Sequence, residues 1–221
     1  MASASARTVH RVIERLVRDG TVISNAGKAH SVFPVAVTAD EGEALERWVT
    51  RERATRTVEI GLGYGVSALF ICAGLLVNGG AARHVAVDPH QATRFENCGL
   101  QLLEEAGLAG LVEHHPAESQ TALPRFLSEG RTFDLAFVDG NHRFDGVFLD
   151  LVYLDRLVRP GGIVFVDDHQ LPSVARAASF CLRNLGWTLE ESSDADELHG
   201  WAVLRTSVEP DTRSFDHFVD F

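Results

Sequence analysis

The chain has 221 residues, 45% of them hydrophobic, with 31 acidic against 20 basic side chains and a formal net charge of −11. That length gives one large or two small domains. The acidic balance argues against a nucleic-acid partner held through its phosphates, and no stretch approaches the ~20 apolar residues of a membrane span.

From the N-terminus, Val9, Val12, Ile13, Leu16 and Val17 recur at helical spacing, which predicts a helix over Arg7–Arg18 that stops at Gly20. Thr21 to Phe33 is polar and glycine-containing and reads as a loop. Thr38-Ala39-Asp40-Glu41 has the form of a capping box and predicts a helix from there to about Arg53. Strand and helix then alternate. Strands are expected at Thr57–Ile60, His84–Val87, Val112–His115, Leu135–Val138 and Ile163–Val166, each read as short and apolar on both faces, as in a buried parallel sheet. Helices are expected at Ser67–Val77, Arg94–Ala106, Ser119–Ser128, Phe144–Leu157 and Ser173–Asn184, the last behind Pro172. Two final strands, Trp187–Glu191 and Trp201–Arg205, can pair as a hairpin across the acidic turn Ser193–Glu197. The expectation is a doubly wound, Rossmann-like α/β sheet, parallel with an antiparallel C-terminal edge. Residues 1–54 form N-terminal helices, 55–206 the ligand-binding domain and 207–221 a tail. Phe215, Phe218 and Phe221 in that tail pack either on their own domain or on a second subunit.

Cys72, Cys98 and Cys181 lie far apart, odd in number and without metal-ligand spacing. Met-Ala-Ser-Ala-Ser-Ala-Arg at the start lacks the apolar core of a signal peptide. Both suit a reducing, cytoplasmic setting.

The stretch richest in chemistry is Val58-Glu59-Ile60-Gly61-Leu62-Gly63-Tyr64-Gly65-Val66-Ser67. A strand runs into three alternating glycines and then a helix, so a ligand can approach the backbone closely. A dinucleotide site would want G-x-G-x-x-G with amides aimed at a pyrophosphate, and here Val66 stands where its third glycine belongs. A carboxylate directly before the turn repels phosphate and attracts an ammonium. Glu59, Gly61 and Gly63 therefore suit a phosphate-free cofactor with a cationic amino-acid end, a description met by S-adenosylmethionine (SAM).

In an open parallel sheet the ligand lies beyond the carboxyl ends of the strands, and all five strands here end in polar residues. Ser67 follows the glycines. Asp88, then Pro89 and His90, end the second strand, where a carboxylate can accept from a ribose diol or cap the next helix. Ser119 and Gln120 follow the third and could meet an adenine edge or simply open a helix. Asp139-Gly140-Asn141-His142 follow the fourth, and Asp167-Asp168-His169 the fifth. Three carboxylates, Asp139, Asp167 and Asp168, converging at one sheet edge repel one another unless a cation lies between them. Oxygen ligation suits Mg²⁺, Ca²⁺ or Mn²⁺. A metal there could hold two substrate oxygens and lower a hydroxyl pKa; the alternative is that Asp167 or Asp168 caps the following loop.

The glycine motif, Ala86-Val87-Asp88-Pro89, Phe137-Val138-Asp139-Gly140-Asn141-His142 and Arg159-Pro160-Gly161-Gly162-Ile163-Val164-Phe165-Val166-Asp167-Asp168 resemble class I SAM-dependent methyltransferases. The branch they resemble is that of the small metal-dependent O-methyltransferases of catechols, macrolide sugars and aminocoumarin sugars, over Val35 to Arg205. The resemblance implies a SAM site on Glu59, Gly61, Gly63, Ser67, Asp88, Ser119 and Asp139, with Mg²⁺ on Asp139, Asp167 and Asp168 and an N-terminal helical lid. It also implies a possible homodimer.

The pattern departs at one position. The sugar-modifying relatives read D-G-D there, and their second acid looks like the general base; here it is Asn141, which takes no proton at neutral pH. The catechol enzymes use a lysine, but the sole lysine, Lys28, lies in the N-terminal loop. His142 and His169 remain as candidate bases. The expected function is methyl transfer from SAM to a hydroxyl of a small metabolite in secondary metabolism. Without a base, a rival is a lyase that closes SAM on itself and releases methylthioadenosine, with Asn141 holding the aminobutyryl arm. A non-catalytic SAM-binding partner protein is a second rival, and a nicotinamide dehydrogenase is disfavoured by Glu59 and Val66.

Overall fold

A computed structural model of the chain describes residues 5–193 and 199–221. It forms two compact units that meet in sequence at Glu118 and Ser119.

The first unit opens with α1 (Ala6–Asp19), whose N-cap Ser5 accepts from the Thr8 amide and whose end is closed by Gly20 at φ 62°. The left-handed residue stops the helix at the position read from sequence. The segment read as a loop contains a small antiparallel hairpin, β1 (Thr21–Ile23) with β2 (Ala29–Ser31). Its strands are three residues each, too short to show alternation. In α2 (Ala39–Arg51) the Thr38 hydroxyl accepts from the Glu41 amide, as the capping box predicts. α1 and α2 both pack on α3 (Val66–Asn78), which is buried on all sides from Val66 to Leu75.

Strands β3 (Arg56–Ile60), β4 (Arg83–Val87) and β5 (Val112–His115) are parallel, in the spatial order β5-β4-β3. β5 is the end strand and only half-buried, so the expectation of an apolar strand on both faces fails there. Thr57 lies opposite His84, and Glu59 opposite Ala86. The helix α4 (Cys98–Glu105) starts four residues later than read, because Glu96 at φ 49° and Asn97 at φ 60° are left-handed and break the preceding turn.

The second unit holds α5 (Ser119–Ser128), β6 (Phe133–Val138), α6 (Phe144–Leu157), β7 (Val158–Val166), α7 (Pro172–Asn184), β8 (Thr188–Ser192) and β9 (Ala202–Arg205). β6 and β7 are parallel; β7 with β9 and β9 with β8 are antiparallel. The expected C-terminal edge hairpin is therefore present, and Asp194–Glu197 of its acidic turn lie outside the described residues. The seven strands β3–β9 are mostly parallel with an antiparallel edge, which is the α/β class read from the sequence. The tail packs on its own unit. The Phe221 ring meets Phe180 edge-on at 5.1 Å, and the Asn184 amide brackets the Val219 backbone through both its N–H and its carbonyl. Phe215 and Phe218 stay exposed.

Candidate functional site

In the first unit the turn after β3 is shaped by three glycines in the left-handed region, Gly61 at φ 93°, Gly63 at φ 51° and Gly65 at φ 82°. Side chains at these positions would be strained. The turn is fastened from β4. Asp88 Oδ2 accepts from the Leu62 amide at 3.2 Å, the Gly63 amide at 2.9 Å and the Gln91 side chain at 2.8 Å. Its Oδ1 accepts from the His90 amide at 2.7 Å. Two amides that a dinucleotide phosphate would need are thus directed at a carboxylate. The loop repels phosphate by charge and offers it fewer donors.

Glu59 is fully buried rather than lining an open surface. Its Oε2 accepts from the Ser67 hydroxyl at 2.8 Å, and its Oε1 lies 3.0 Å from His84 Nε2. Gly63 faces Val35 and Phe95, and the Tyr64 ring lies 6.1 Å from His30 and 5.1 Å from Phe95. The N-terminal segment therefore reaches the glycine turn. It is pinned there by Lys28 Nζ, which donates to Glu96 Oε1 at 2.8 Å, while His30 Nε2 lies 3.4 Å from Glu96 Oε2. Lys28 first, with Ser24 and His30, holds the Glu96 carboxyl down at about 2.

In the second unit Asp139, His142 and Asp168 offer ligand atoms that all lie within 4.8 Å of one another. The His142 ring stands between the acids, Nε2 at 3.3 Å from Asp139 Oδ1 and Nδ1 at 3.2 Å from Asp168 Oδ2. Its backbone carbonyl accepts from Ser173 Oγ at 2.6 Å. Asp167 is not in this group: its Oδ1 accepts the Asp168 amide at 2.6 Å, closing the turn in which Asp168 takes φ 52°. Two carboxylates and an imidazole make a mixed oxygen and nitrogen donor set that fits a divalent cation, with more affinity for Mn²⁺, Fe²⁺ or Zn²⁺ than an all-oxygen set has. Asn141 accepts the Arg143 amide at 3.0 Å and packs beside Gly146, so it shapes the entry to α6. His169 lies outside the cluster, and burial pushes its imidazole below the ordinary value. Ser119 and Gln120 form the first turn of α5, in the other unit from Glu59 and Asp88.

A family model described as a methyltransferase domain matches residues 58–169, just over half of the chain. The chain belongs to this methyltransferase family. Tricin synthase 1 of Oryza sativa subsp. japonica is 29% identical over 164 residues, 67% of this chain and 63% of that protein. Caffeoyl-CoA O-methyltransferase 2 of Petunia hybrida is 28% identical over 137 residues, 61% of this chain and 54% of its own length. The match thus spans less than two thirds of each relative. Among solved structures, the O-methyltransferase TomG from Streptomyces achromogenes, involved in tomaymycin synthesis and bound to SAM, shares the fold with a TM-score of 0.68 at 22% identity, over 90% of this chain and 89% of that one.

Several residues of this methyltransferase domain escaped the sequence reading. Gln91 carries a side-chain amide that spans Gly63 O, at 2.7 Å, and Asp88. Gly99 lets α4 approach, since a Cβ there would lie 2.7 Å from Gly63 O. His84 was read only as a strand residue. The one available signal for Gln91 was its spacing three residues beyond Asp88, which puts both side chains in one turn.

Proposed function

We propose that this protein transfers the methyl group of SAM to a hydroxyl oxygen of a small metabolite in secondary metabolism. The observation that carries the reading is the glycine turn whose Leu62 and Gly63 amides are directed at Asp88 beside the buried Glu59–Ser67 pair. Such a turn suits a nucleoside without phosphate and with a cationic arm. The O-methyltransferase relatives support the reaction type and favour it over the SAM-cyclising lyase.

In this reading Asp88 Oδ1, which accepts one backbone N–H, keeps a lone pair for a ribose hydroxyl. Ser67 meets the amino-acid arm and Glu59 acts on it through Ser67. Ser119 serves the adenine edge, and residues 1–54 cover the glycine turn, a role supported by the Lys28–Glu96 contact. Asp139 and Asp168 hold a divalent cation, with His142 or Asp167 completing the set. When bound, the cation supplies positive charge that eases loss of the acceptor's hydroxyl proton. Where Asp167 completes the set, His142 can take that proton; its two ring nitrogens face Asp139 and Asp168, so a proton on either meets an acceptor. His169, which burial keeps neutral to lower pH, is the second proton acceptor to test. Asn141 positions the turn and carries no proton. A cytoplasmic homodimer belongs to the same proposal; among the described residues no helix is long and apolar enough to cross a membrane.

The test is incubation of the purified chain with SAM and Mg²⁺ or Mn²⁺, with and without a panel of catechols and hydroxylated sugars. S-adenosylhomocysteine that accumulates only with an acceptor supports transfer. Methylthioadenosine that appears from SAM alone would replace this reading with the lyase, and SAM binding without any turnover would replace it with a binding partner protein.

A further inference from the structure

The first unit carries a groove of about 440 Å³ between α1 and α2 that shares no residue with the glycine turn. That size falls within the ~300–1,000 Å³ of small-ligand pockets. The two helices leave it open because each packs mainly on α3 rather than on the other. Small residues of α2 shape it. Gly42 lies against the Phe70 ring of α3, where a Cβ would stand 2.2 Å from Phe70 Cε2. Ala39, one turn earlier, lines the groove with a side chain too short to fill it. From α1 the lining is a stripe from His10 to Arg18 and from α2 it is Ala39, Glu43 and Glu46, each at helical spacing.

The floor is apolar. Ile13 and Phe70 are buried, and Val17 is left 44% exposed beside them. The rim is acidic: Glu14, Glu43 and Glu46 stand against His10 and Arg18. The Arg18 guanidinium is matched by Asp19, to which its Nε donates at 2.8 Å. His10 Nε2 lies 3.0 and 2.9 Å from the two oxygens of Glu46 and so bridges the helices. Glu43 is exposed, and its side chain has no ion-pair partner among the described residues. Arg47 and Arg51 line a neighbouring hollow with Glu43 and Glu46 and not this groove, and the Arg51 guanidinium sits over the Trp48 ring at 4.4 Å.

Negative charge beside an apolar floor selects its ligand. An anion is repelled, and a neutral apolar molecule gains only the floor. A cation with an apolar body gains both floor and charge. Glu43 and Glu46, three apart on α2, are neighbours on one face and can share one ammonium. A bare metal ion fits poorly, because among the described residues the one set with ligand atoms all within 4.8 Å of one another is Asp139, His142 and Asp168. The acids of the groove are spread along it instead.

We propose that this groove is a binding site for an amphipathic organic amine: Glu43 and Glu46 receive its ammonium, and Ile13, Val17 and Phe70 carry its alkyl or aryl body. The inference does not depend on the SAM reading.

The experiment titrates the full chain, without nucleoside, with hexylammonium, hexan-1-ol and hexanoate, which are matched in length, and follows the backbone amides by ¹H–¹⁵N NMR. Hexylammonium is expected to shift the amides of residues 10–18 and 39–46 saturably and to bind about fivefold tighter than the alcohol, while hexanoate leaves them unmoved. In Glu43→Gln, an exposed change that keeps side-chain size, the advantage over the alcohol is expected to fall to about twofold. Ala39→Leu, which puts a larger side chain into the groove, is expected to abolish saturation by amine and alcohol alike. An alcohol or hexanoate that binds as tightly as the amine overturns the proposal, as does an amine affinity unchanged in Glu43→Gln or in Ala39→Leu. An amine that gives no saturable shifts in α1 and α2 overturns it too. Should Ala39→Leu fail to fold, Glu43→Gln decides the matter alone.

Discussion

The two units each place acidic side chains at the ends of their strands, and they treat them differently. In the first, Asp88 and Glu59 are buried, and Asp88 receives three backbone amides and one side-chain amide from neighbouring turns. In the second, Asp167 is likewise buried and accepts a backbone amide, whereas Asp139 and Asp168 are partly open and both contact the His142 imidazole, at 3.3 and 3.2 Å. The difference separates acids that organise backbone from the pair that we propose holds a cation. A carboxylate surrounded by amides is already satisfied and stabilises the turn that donates them. One that faces another carboxylate across a histidine keeps a local excess of negative charge, which a divalent ion relieves.

Mutations can break or sharpen this contrast, and their effects on stability run from large to small. Asp88→Ala leaves the Leu62 and Gly63 amides without their acceptor; unfolding in urea should show a loss of about 3 kcal/mol, and SAM binding should vanish from calorimetry. Gly99→Ala drives a methyl to within 2.7 Å of Gly63 O. The glycine turn must shift, at a cost of about 2 kcal/mol and roughly tenfold in SAM affinity. Asp139→Ala should invert the pattern: stability stays within about 0.5 kcal/mol of wild type. Methyl transfer, by contrast, drops at least ~100-fold, and a chelator acting on the wild-type enzyme should mimic the loss until Mg²⁺ or Mn²⁺ is added back. If Asp139→Ala unfolds the chain as Asp88→Ala does, the contrast between the units is wrong.

The smallest effect is expected at Lys28→Met, which removes the lysine's contact with Glu96 and leaves that of His30. The Glu96 carboxyl, held at about 2 in the folded chain against an ordinary 4.5, should titrate higher by NMR but stay below the ordinary value, because Ser24 and His30 still lower it. A carboxyl lowered on folding contributes stability above its unfolded pKa and loses it as pH falls through the folded one. The difference between wild type and Lys28→Met is therefore present at pH 7 and shrinks between pH 4.5 and about 2. Solvent exposure of both side chains keeps it slight.

What could be read from the chain alone was local. The strand, glycine and helix sequence around Glu59 needs only the short-range demands of φ and of apolar periodicity, and Gly61, Gly63 and Gly65 take the left-handed angles those demands imply. The capping box at Thr38 and the alternation of apolar strands with amphipathic helices are local in the same way, so the α/β class and the order of elements followed. The β1–β2 hairpin was missed because three-residue strands carry too little pattern, and α4 was begun early because nothing in Arg94-Phe95-Glu96-Asn97 announces two left-handed residues. The partners of the acids were decided only in three dimensions. Asp88, expected to accept from a ribose, accepts the amides of the glycine turn; Glu59, expected to hold an ammonium directly or through water, lies buried beside His84; and His142, expected as a base, stands between Asp139 and Asp168. Each of these pairings joins residues brought together by strand register or by a chain return. Periodicity states which face a side chain takes, but not which donor waits opposite it, and the energy of a buried carboxylate depends almost wholly on that donor.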